Sequence, residues 1–355
     1  MLLASKIIGS LMNTSVEDTH IIKIRPLITP AVLIEEFSPK PATLQLVENT
    51  RRTIENILDN KDKKKIVIVG PCSIHDPDAA IEYATALKAR TASMENLLVI
   101  MRVYFEKPRT IVGWKGLIND PDIDNSFNIN KGLRLARKLL LDISEIGLPC
   151  GTEFLDTTFG QYYADLISWG AIGARTAESQ IHRELASGLS MPVGIKNRTD
   201  GNMQIAVDGI QAAAHRHLFP SLTKEGAPAI FETGGNQYCH LILRGGDQTG
   251  PNYDDESLGK AVSLLKENTL KPSLIVDCSH GNSQKDPKNQ IEVVNSLCQS
   301  IVSGQDAVKG VMLESHLKAG RQNYDPENLT YGLSITDACL SLDETLPVLE
   351  KLNNL

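Results

Sequence analysis

The hydrophobic pattern divides the chain into an irregular opening and a long regular remainder. Pro26, Pro30, Pro39 and Pro41 punctuate residues 13–45, which excludes one long helix there and predicts an extended arm, with Ile21–Ile24 as a short strand. Leu44, Leu46, Val47, Ile54, Ile57 and Leu58 then follow an imperfect helical stripe, predicting a helix over Leu44–Asn60 that ends at the charged stretch Asp59–Lys65.

From Lys65 onward, short runs rich in Val, Ile and Leu alternate with longer amphipathic stretches. The runs are Lys65–Val69, Leu97–Tyr104, Pro149–Phe154, Ala171–Arg175, Pro192–Lys196, His240–Arg244, Ser273–Asp277 and Val308–Leu313. Eight strands alternating with helical patterns predict an α/β fold, a closed parallel (β/α)8 or TIM barrel, over residues 65–355. The interval from Thr199 to His240 is long for one β-α unit, and Pro228–Glu232 (PAIFE) inside it predicts an inserted hairpin before strand 6. Residues 1–64 then form an amino-terminal extension of arm and helix.

Composition narrows the class. Forty-one per cent of the 355 residues are apolar, enough for a large core, so a mostly disordered chain is excluded. A net charge of -7 argues against a nucleic-acid binder that must attract phosphate over its whole surface, but leaves room for a local basic pocket. The strongest apolar runs, such as Leu97–Met101 and Ile66–Val69, fall far short of the roughly 20 residues of a membrane span. Met1–Met12 lacks a basic leader and a small-residue cleavage pattern and reads as a loose extension. Cys72, Cys150, Cys239, Cys278, Cys298 and Cys339 are scattered with no C-x-x-C pair, the usage expected of reduced thiols in the cytoplasm.

Barrel enzymes place their chemistry at the carboxyl ends of the strands. The eight predicted runs end near Cys72, Arg102, Glu153, Arg175, Lys196, Arg244, His280 and Glu314. Charged residues commonly flank strands, so each alone reads first as solvated or ion-paired; eight in succession converging on one mouth point to a site. Arg102, Arg175, Lys196 and Arg244 are cationic, and Lys107 and Arg109 follow in FEKPRT. Two like charges ~6 Å apart repel by about 3 kcal/mol at an effective dielectric near 20, so such a ring calls for an anion, best one with several negative charges. Arginine's planar fork suits phosphate and carboxylate. The remaining group, Cys72, His280 and Glu314 with Asp337 from SITDAC, offers the mixed sulfur, nitrogen and oxygen shell that suits Mn, Fe, Co or Zn. Read separately, Cys72 is more often a small buried residue and Asp337 more often a helix cap.

The strings themselves carry a resemblance. GPCSIHD (70–76), RVYFEKPRTIVGWKGLINDP (102–121), GAIGARTAESQIHRELASGLSMPVGIKN (170–197), LILRGG (241–246), DCSHGNS (277–283), ESH (314–316) and YGLSITDAC (331–339) resemble class I, microbial-type 3-deoxy-D-arabino-heptulosonate 7-phosphate synthases, from about Ile24 to the end of the chain. The resemblance implies a metal-dependent barrel that condenses phosphoenolpyruvate with erythrose 4-phosphate, opening aromatic amino acid biosynthesis. It implies one divalent ion on Cys72, His280, Glu314 and Asp337, with Asp337 also facing substrate. Phosphoenolpyruvate contacts fall on Arg102, Lys107, Arg175, Lys196 and Arg244 with Glu153 close by, and erythrose 4-phosphate contacts on Lys107, Pro108, Arg109 and Thr110. Lys107, Glu153 and Lys196 take the catalytic roles: Lys107 as proton donor, Glu153 beside the attacking water. The resemblance also implies feedback inhibition by an aromatic amino acid through the arm, the inserted segment and a subunit contact in a homodimer or homotetramer. No nucleic acid or membrane partner is implied.

One departure stands out: the resembled proteins usually read KNGTDG where this chain has Lys196-Asn197-Arg198-Thr199-Asp200-Gly201, which puts the geometry of that loop in question. Three rival readings remain. 3-Deoxy-D-manno-octulosonate 8-phosphate synthase runs the same chemistry on a five-carbon sugar, but the KPRT loop favours the four-carbon one. A Schiff-base aldolase would use Lys196, although the surrounding arginines suit an anion contact better. A non-catalytic regulatory relative would be marked by loss of a ligand or anion-contact position, and none is lost.

Overall fold

The computed structural model describes residues 16–109 and 113–355. Strands β1 (Lys65–Gly70), β2 (Leu97–Arg102), β3 (Cys150–Glu153), β4 (Ile167–Ile172) and β5 (Val193–Lys196) form the first part of a parallel sheet. The strands β6 (His217–Leu222) and β7 (Pro228–Thr233) pair with each other instead, as an antiparallel hairpin in which Phe219 faces Phe231. The parallel sheet resumes with β8 (Cys239–Leu243), β9 (Leu274–Asp277) and β10 (Val308–His316), and β10 pairs back onto β1, closing a barrel of eight parallel strands. A two-residue strand β11 (Leu340–Ser341) extends β10 beyond the barrel.

The helices in chain order are α1 (Pro30–Glu36), α2 (Pro41–Leu58), α3 (Pro77–Thr91), α4 (Ile129–Glu145), α5 (Gly160–Tyr163), α6 (Gln180–Gly188), α7 (Gln204–Ala213), α8 (Asp255–Glu267), α9 (Asn289–Val302) and α10 (Leu342–Asn353). Two cores result. The larger lies between the barrel and its helices. The smaller fills the cylinder with Ile66, Ile68, Ile100, Trp169, Ala171, Ile242, Ile275 and Met312, and Ile54, Ile57 and Leu58 of α2 join it. Helix α2 therefore plugs one end of the barrel, and burying each large side chain contributes about 1.5–3 kcal/mol.

Several expectations need correction. The arm is not uniformly extended: Pro30 and Pro41 each open a helix, because a proline in the first helical turn sacrifices no hydrogen bond and its fixed φ already suits the turn. Ile21–Ile24 forms no strand, and Ile21, Ile22 and Ile24 are exposed. The fourth strand lies earlier than Ala171–Arg175. Ser168 and Gly170 interrupt the apolar run of Ile167–Ile172 and hide it from a hydrophobic scan, while Arg175 sits in the turn beyond. The second strand ends at Arg102 rather than Tyr104, and the eighth runs on to His316, so Glu314 lies within it. No helix among the described residues is long and apolar enough to cross a membrane.

Candidate active site

Strand ends bring the predicted polar residues to one mouth. Cys72 follows β1, and its Sγ lies 3.3 Å from Asp337 Oδ2, in the loop between β10 and β11. Donor atoms of Cys72, Glu314 and Asp337 all lie within 4.8 Å of one another. His280, just after β9, stands beside this triad without joining its 4.8 Å cluster: its Nε2 is 3.8 Å from Glu314 Oε1. Its Nδ1 is taken up by Asp277 Oδ2 at 2.9 Å and Ser279 Oγ at 2.7 Å, which leaves Nε2 free to face the shell. One thiol and two carboxylates converging, with an imidazole beside them, fit a divalent transition ion. Burial, with Glu314 nearby, pushes the Cys72 thiol up to about 12.

Beside this shell lies a cavity of about 270 Å³. Arg102, Lys107, Arg109, Arg175, Lys196, Arg244 and Arg321 line it, against only three carboxylates, Glu106, Glu153 and Asp337. Arg102 is 1% exposed and gives Glu314 Oε1 a bond of 3.0 Å, with its guanidinium 3.6 Å over the Tyr104 ring. Lys196 Nζ donates to Asp277 Oδ2 at 2.8 Å. Lys107 Nζ donates to Cys72 Sγ at 2.9 Å, standing on the border between shell and cavity. Arg175, Arg109 and Pro108 form the outer rim, where Arg175 Nη1 donates to the Pro108 carbonyl at 2.8 Å. Every predicted contact thus faces one mouth except Thr110, which lies outside the described residues. A cavity with this surplus of fixed cations is built for a small, multiply charged anion.

A family profile described as the DAHP synthetase I family matches residues 42–350. This chain belongs to that family. It is 52% identical over 332 residues to the Trp-sensitive phospho-2-dehydro-3-deoxyheptonate aldolase of Escherichia coli K12, covering 93% of this chain and 95% of that protein. The Phe-sensitive enzyme of the same strain is 52% identical over 345 residues, covering 97% and 98%. The solved structure of phospho-2-dehydro-3-deoxyheptonate aldolase from Francisella tularensis SCHU S4 superposes with a TM-score of 0.92 at 52% identity, covering 94% of this chain and 98% of that one.

The DAHP synthetase fold also positions residues that the sequence reading left unassigned. Glu106 is 5% exposed in the cavity wall, and Arg321 reaches the cavity from the loop after β10. Asp277 is fully buried at the end of β9; burial opposes its charge, but His280 and Lys196 hold it well below the usual carboxylate range. Three buried asparagines tie the loops after β5, β8 and β9. Asn197 Oδ1 accepts the Arg244 N–H at 2.8 Å, Asn252 Oδ1 accepts that of Gly245 at 2.8 Å, and Asn282 Oδ1 accepts that of Asn252 at 2.8 Å. Gly245 (φ 70) and Gly281 lie backbone to backbone: a Cβ on Gly245 would stand 2.5 Å from the Gly281 carbonyl carbon. Only that close approach lets the Arg244 and His280 loops share the mouth.

Arg198, where DAHP synthetases usually carry glycine, does not adopt a positive φ; Gly201 (φ 103) takes the left-handed turn instead. Its guanidinium pairs with Glu178 at 2.6 Å and Asp200 at 3.2 Å and replaces no contact in the cavity.

Proposed function

We propose that this chain condenses phosphoenolpyruvate with D-erythrose 4-phosphate and water to 3-deoxy-D-arabino-heptulosonate 7-phosphate and phosphate. The observation that carries it is the adjacency of a Cys/His/Glu/Asp shell and a cation-lined cavity, joined through Lys107 and Arg102. Arg102, Arg175, Lys196 and Arg244 hold the phosphoenolpyruvate carboxylate and phosphate in an attack pose and carry the charge of the departing phosphate. Lys107, Pro108, Arg109 and Thr110 hold the erythrose 4-phosphate. The enolpyruvate methylene carbon bonds to the aldehyde carbon, water adds to carbon 2, and the resulting hemiketal phosphate expels inorganic phosphate. Lys107 Nζ gives its proton to the aldehyde oxygen as that becomes a hydroxyl, and Glu153 orients the water. Cys72, His280, Glu314 and Asp337 would hold one ion of Mn, Fe, Co or Zn, which when bound supplies Lewis acidity toward the aldehyde.

The test is phosphate release. Both substrates together are expected to release phosphate and either alone none; chelation abolishes release, and Mn restores it. Full activity after verified metal removal overturns the shell's role. Faster turnover with arabinose 5-phosphate than with erythrose 4-phosphate would favour the five-carbon reading. Lys196 Nζ is engaged by the buried Asp277 carboxylate at 2.8 Å, which supports an anion contact over a Schiff base.

The second half of the proposal is feedback inhibition by an aromatic amino acid, the property named in the E. coli relatives. A cavity of about 790 Å³ on the barrel's flank supports it, lined by α2 (Leu44, Val47, Arg51), by Leu189 and Ser190 after α6, and by Phe219 and Phe231 of the hairpin. Its apolar wall and flanking charges match a ring joined to a zwitterion. Exposed Ile21, Ile22 and Ile24 of the arm and Leu218 and Ile230 of the hairpin support a homodimer or homotetramer.

A further inference from the structure

Asp277 stands between two sites that the proposed function treats as separate. Its Oδ2 accepts from Lys196 Nζ at 2.8 Å and from His280 Nδ1 at 2.9 Å, while its Oδ1 accepts from Ser279 Oγ at 2.6 Å and Ser279 N at 3.1 Å. The side chain is fully buried, so no water competes for these bonds. His280 Nδ1 is held by Asp277 Oδ2 and, at 2.7 Å, by Ser279 Oγ, whose own proton goes to Asp277 Oδ1, so the ring turns Nε2 toward Glu314, 3.8 Å away. The same oxygen fixes where the Lys196 ammonium stands in the anion cavity. A carboxylate behind a metal-binding imidazole sets the tautomer and orientation of the ring, and losing it typically weakens metal affinity 10–100-fold. Here the carboxylate also holds a substrate cation.

We propose that Asp277 is a positioning residue that couples the divalent-cation site to the phosphoenolpyruvate site, so that each ligand raises the affinity for the other. A cation held beside His280 would polarise the imidazole and strengthen the pull of its Nδ1–H on Asp277. The carboxylate, ordered once, then presents Lys196 to the anion with less left to immobilise. Linkage requires the effect to be reciprocal and equal in both directions. The inference rests on the proposed metal shell and anion pocket, and its test separates the two.

Mn²⁺ is titrated by equilibrium dialysis with and without saturating phosphoenolpyruvate, and phosphoenolpyruvate by calorimetry with and without Mn²⁺. Wild type is expected to gain roughly tenfold in each affinity from the other ligand, within the range usual for coupled sites. Asp277→Asn is expected to bind Mn²⁺ 10–100-fold more weakly and to bring the mutual factor near one, with its far-UV spectrum unchanged. Should the asparagine variant not fold, Asp277→Glu keeps the charge but displaces the carboxylate, and is expected to cut the factor below threefold. A folded variant that keeps both the wild-type Mn²⁺ affinity and the wild-type factor overturns the inference. So does a wild type that binds both ligands without mutual effect. A wild type that binds neither ligand overturns the proposed function, and the inference with it.

Discussion

Glu106 lines the cavity beside Lys107, with Glu153 and Asp156 as acidic neighbours and a long hydrogen bond, 3.3 Å, from the Asp156 N–H. Burial, reinforced by those neighbours, pushes its carboxyl up to about 8, so at neutral pH it is largely protonated and the mouth is more positive than a residue count implies. An acid whose folded pKa lies above its unfolded one binds more protons when native. Its stabilising contribution is therefore whole below about pH 4.5 and falls away as pH rises toward 8. Glu106→Gln removes that dependence. Melting temperature measured from pH 5 to 8.5 should fall further in wild type than in the variant, the gap widening to the order of a few kcal/mol at the alkaline end. Parallel curves would show that Glu106 ionises as if exposed. Nothing in FEKPRT reveals this: the string shows a charged residue beside two other charges, and only the packing around it decides that one is kept out of water.

Elements were legible where one force dominates. The eight barrel strands stand out because both their faces are buried and their runs are almost continuously apolar; β4 was displaced because Ser168 and Gly170 dilute its run. Hairpin residues 228–232 were readable from PAIFE, but the partner strand His217–Leu222, with Pro220 inside it, was not. The strand-end chemistry followed from topology, since a closed barrel must bring its carboxyl ends together. The asparagine bracket did not, because amide bonds among loops after three different strands leave no periodic trace. That bracket sets the mouth's shape. Asn252→Ala strips the acceptor from the Gly245 N–H and one donor from Asn197 Oδ1, both buried, while Asn282 Oδ1 keeps the backbone N–H of residue 252. Each group left unpaired costs about 1–3 kcal/mol. The variant is expected to lose about 1–3 kcal/mol in urea unfolding and, because the Gly245 backbone next to Arg244 loses its tie, to raise the KM for phosphoenolpyruvate more than it lowers kcat. Unchanged KM with the full stability loss would make the bracket purely structural.

At the scale of the whole molecule, helix α2 closes one end of the cylinder and also walls the flank cavity, so the amino-terminal segment serves core and surface at once. The arm docks next to that cavity. The Ile28 carbonyl accepts the Tyr162 hydroxyl at 2.6 Å, and Ala31 N–H bonds the carbonyl of Lys224, in the hairpin turn, at 2.7 Å. Lys224 itself lines the cavity, as does Gln161, the neighbour of Tyr162. None of these contacts reaches the catalytic mouth, and the core helices α1 and α2 begin after residue 29. Removing residues 1–29 should therefore leave kcat within about threefold while uncoupling the flank. Phosphate release titrated with Phe, Tyr and Trp is expected to show inhibition of the full chain by one of the three and little or none of the truncated form. Phe231→Ala supplies the complementary arm of the experiment: it shortens the cavity's apolar wall without touching the amino terminus, and should weaken inhibition at unchanged kcat. Truncated enzyme that remains fully inhibited would place the regulatory contact elsewhere than the arm, and a Phe231 variant that remains fully inhibited would exclude the flank cavity.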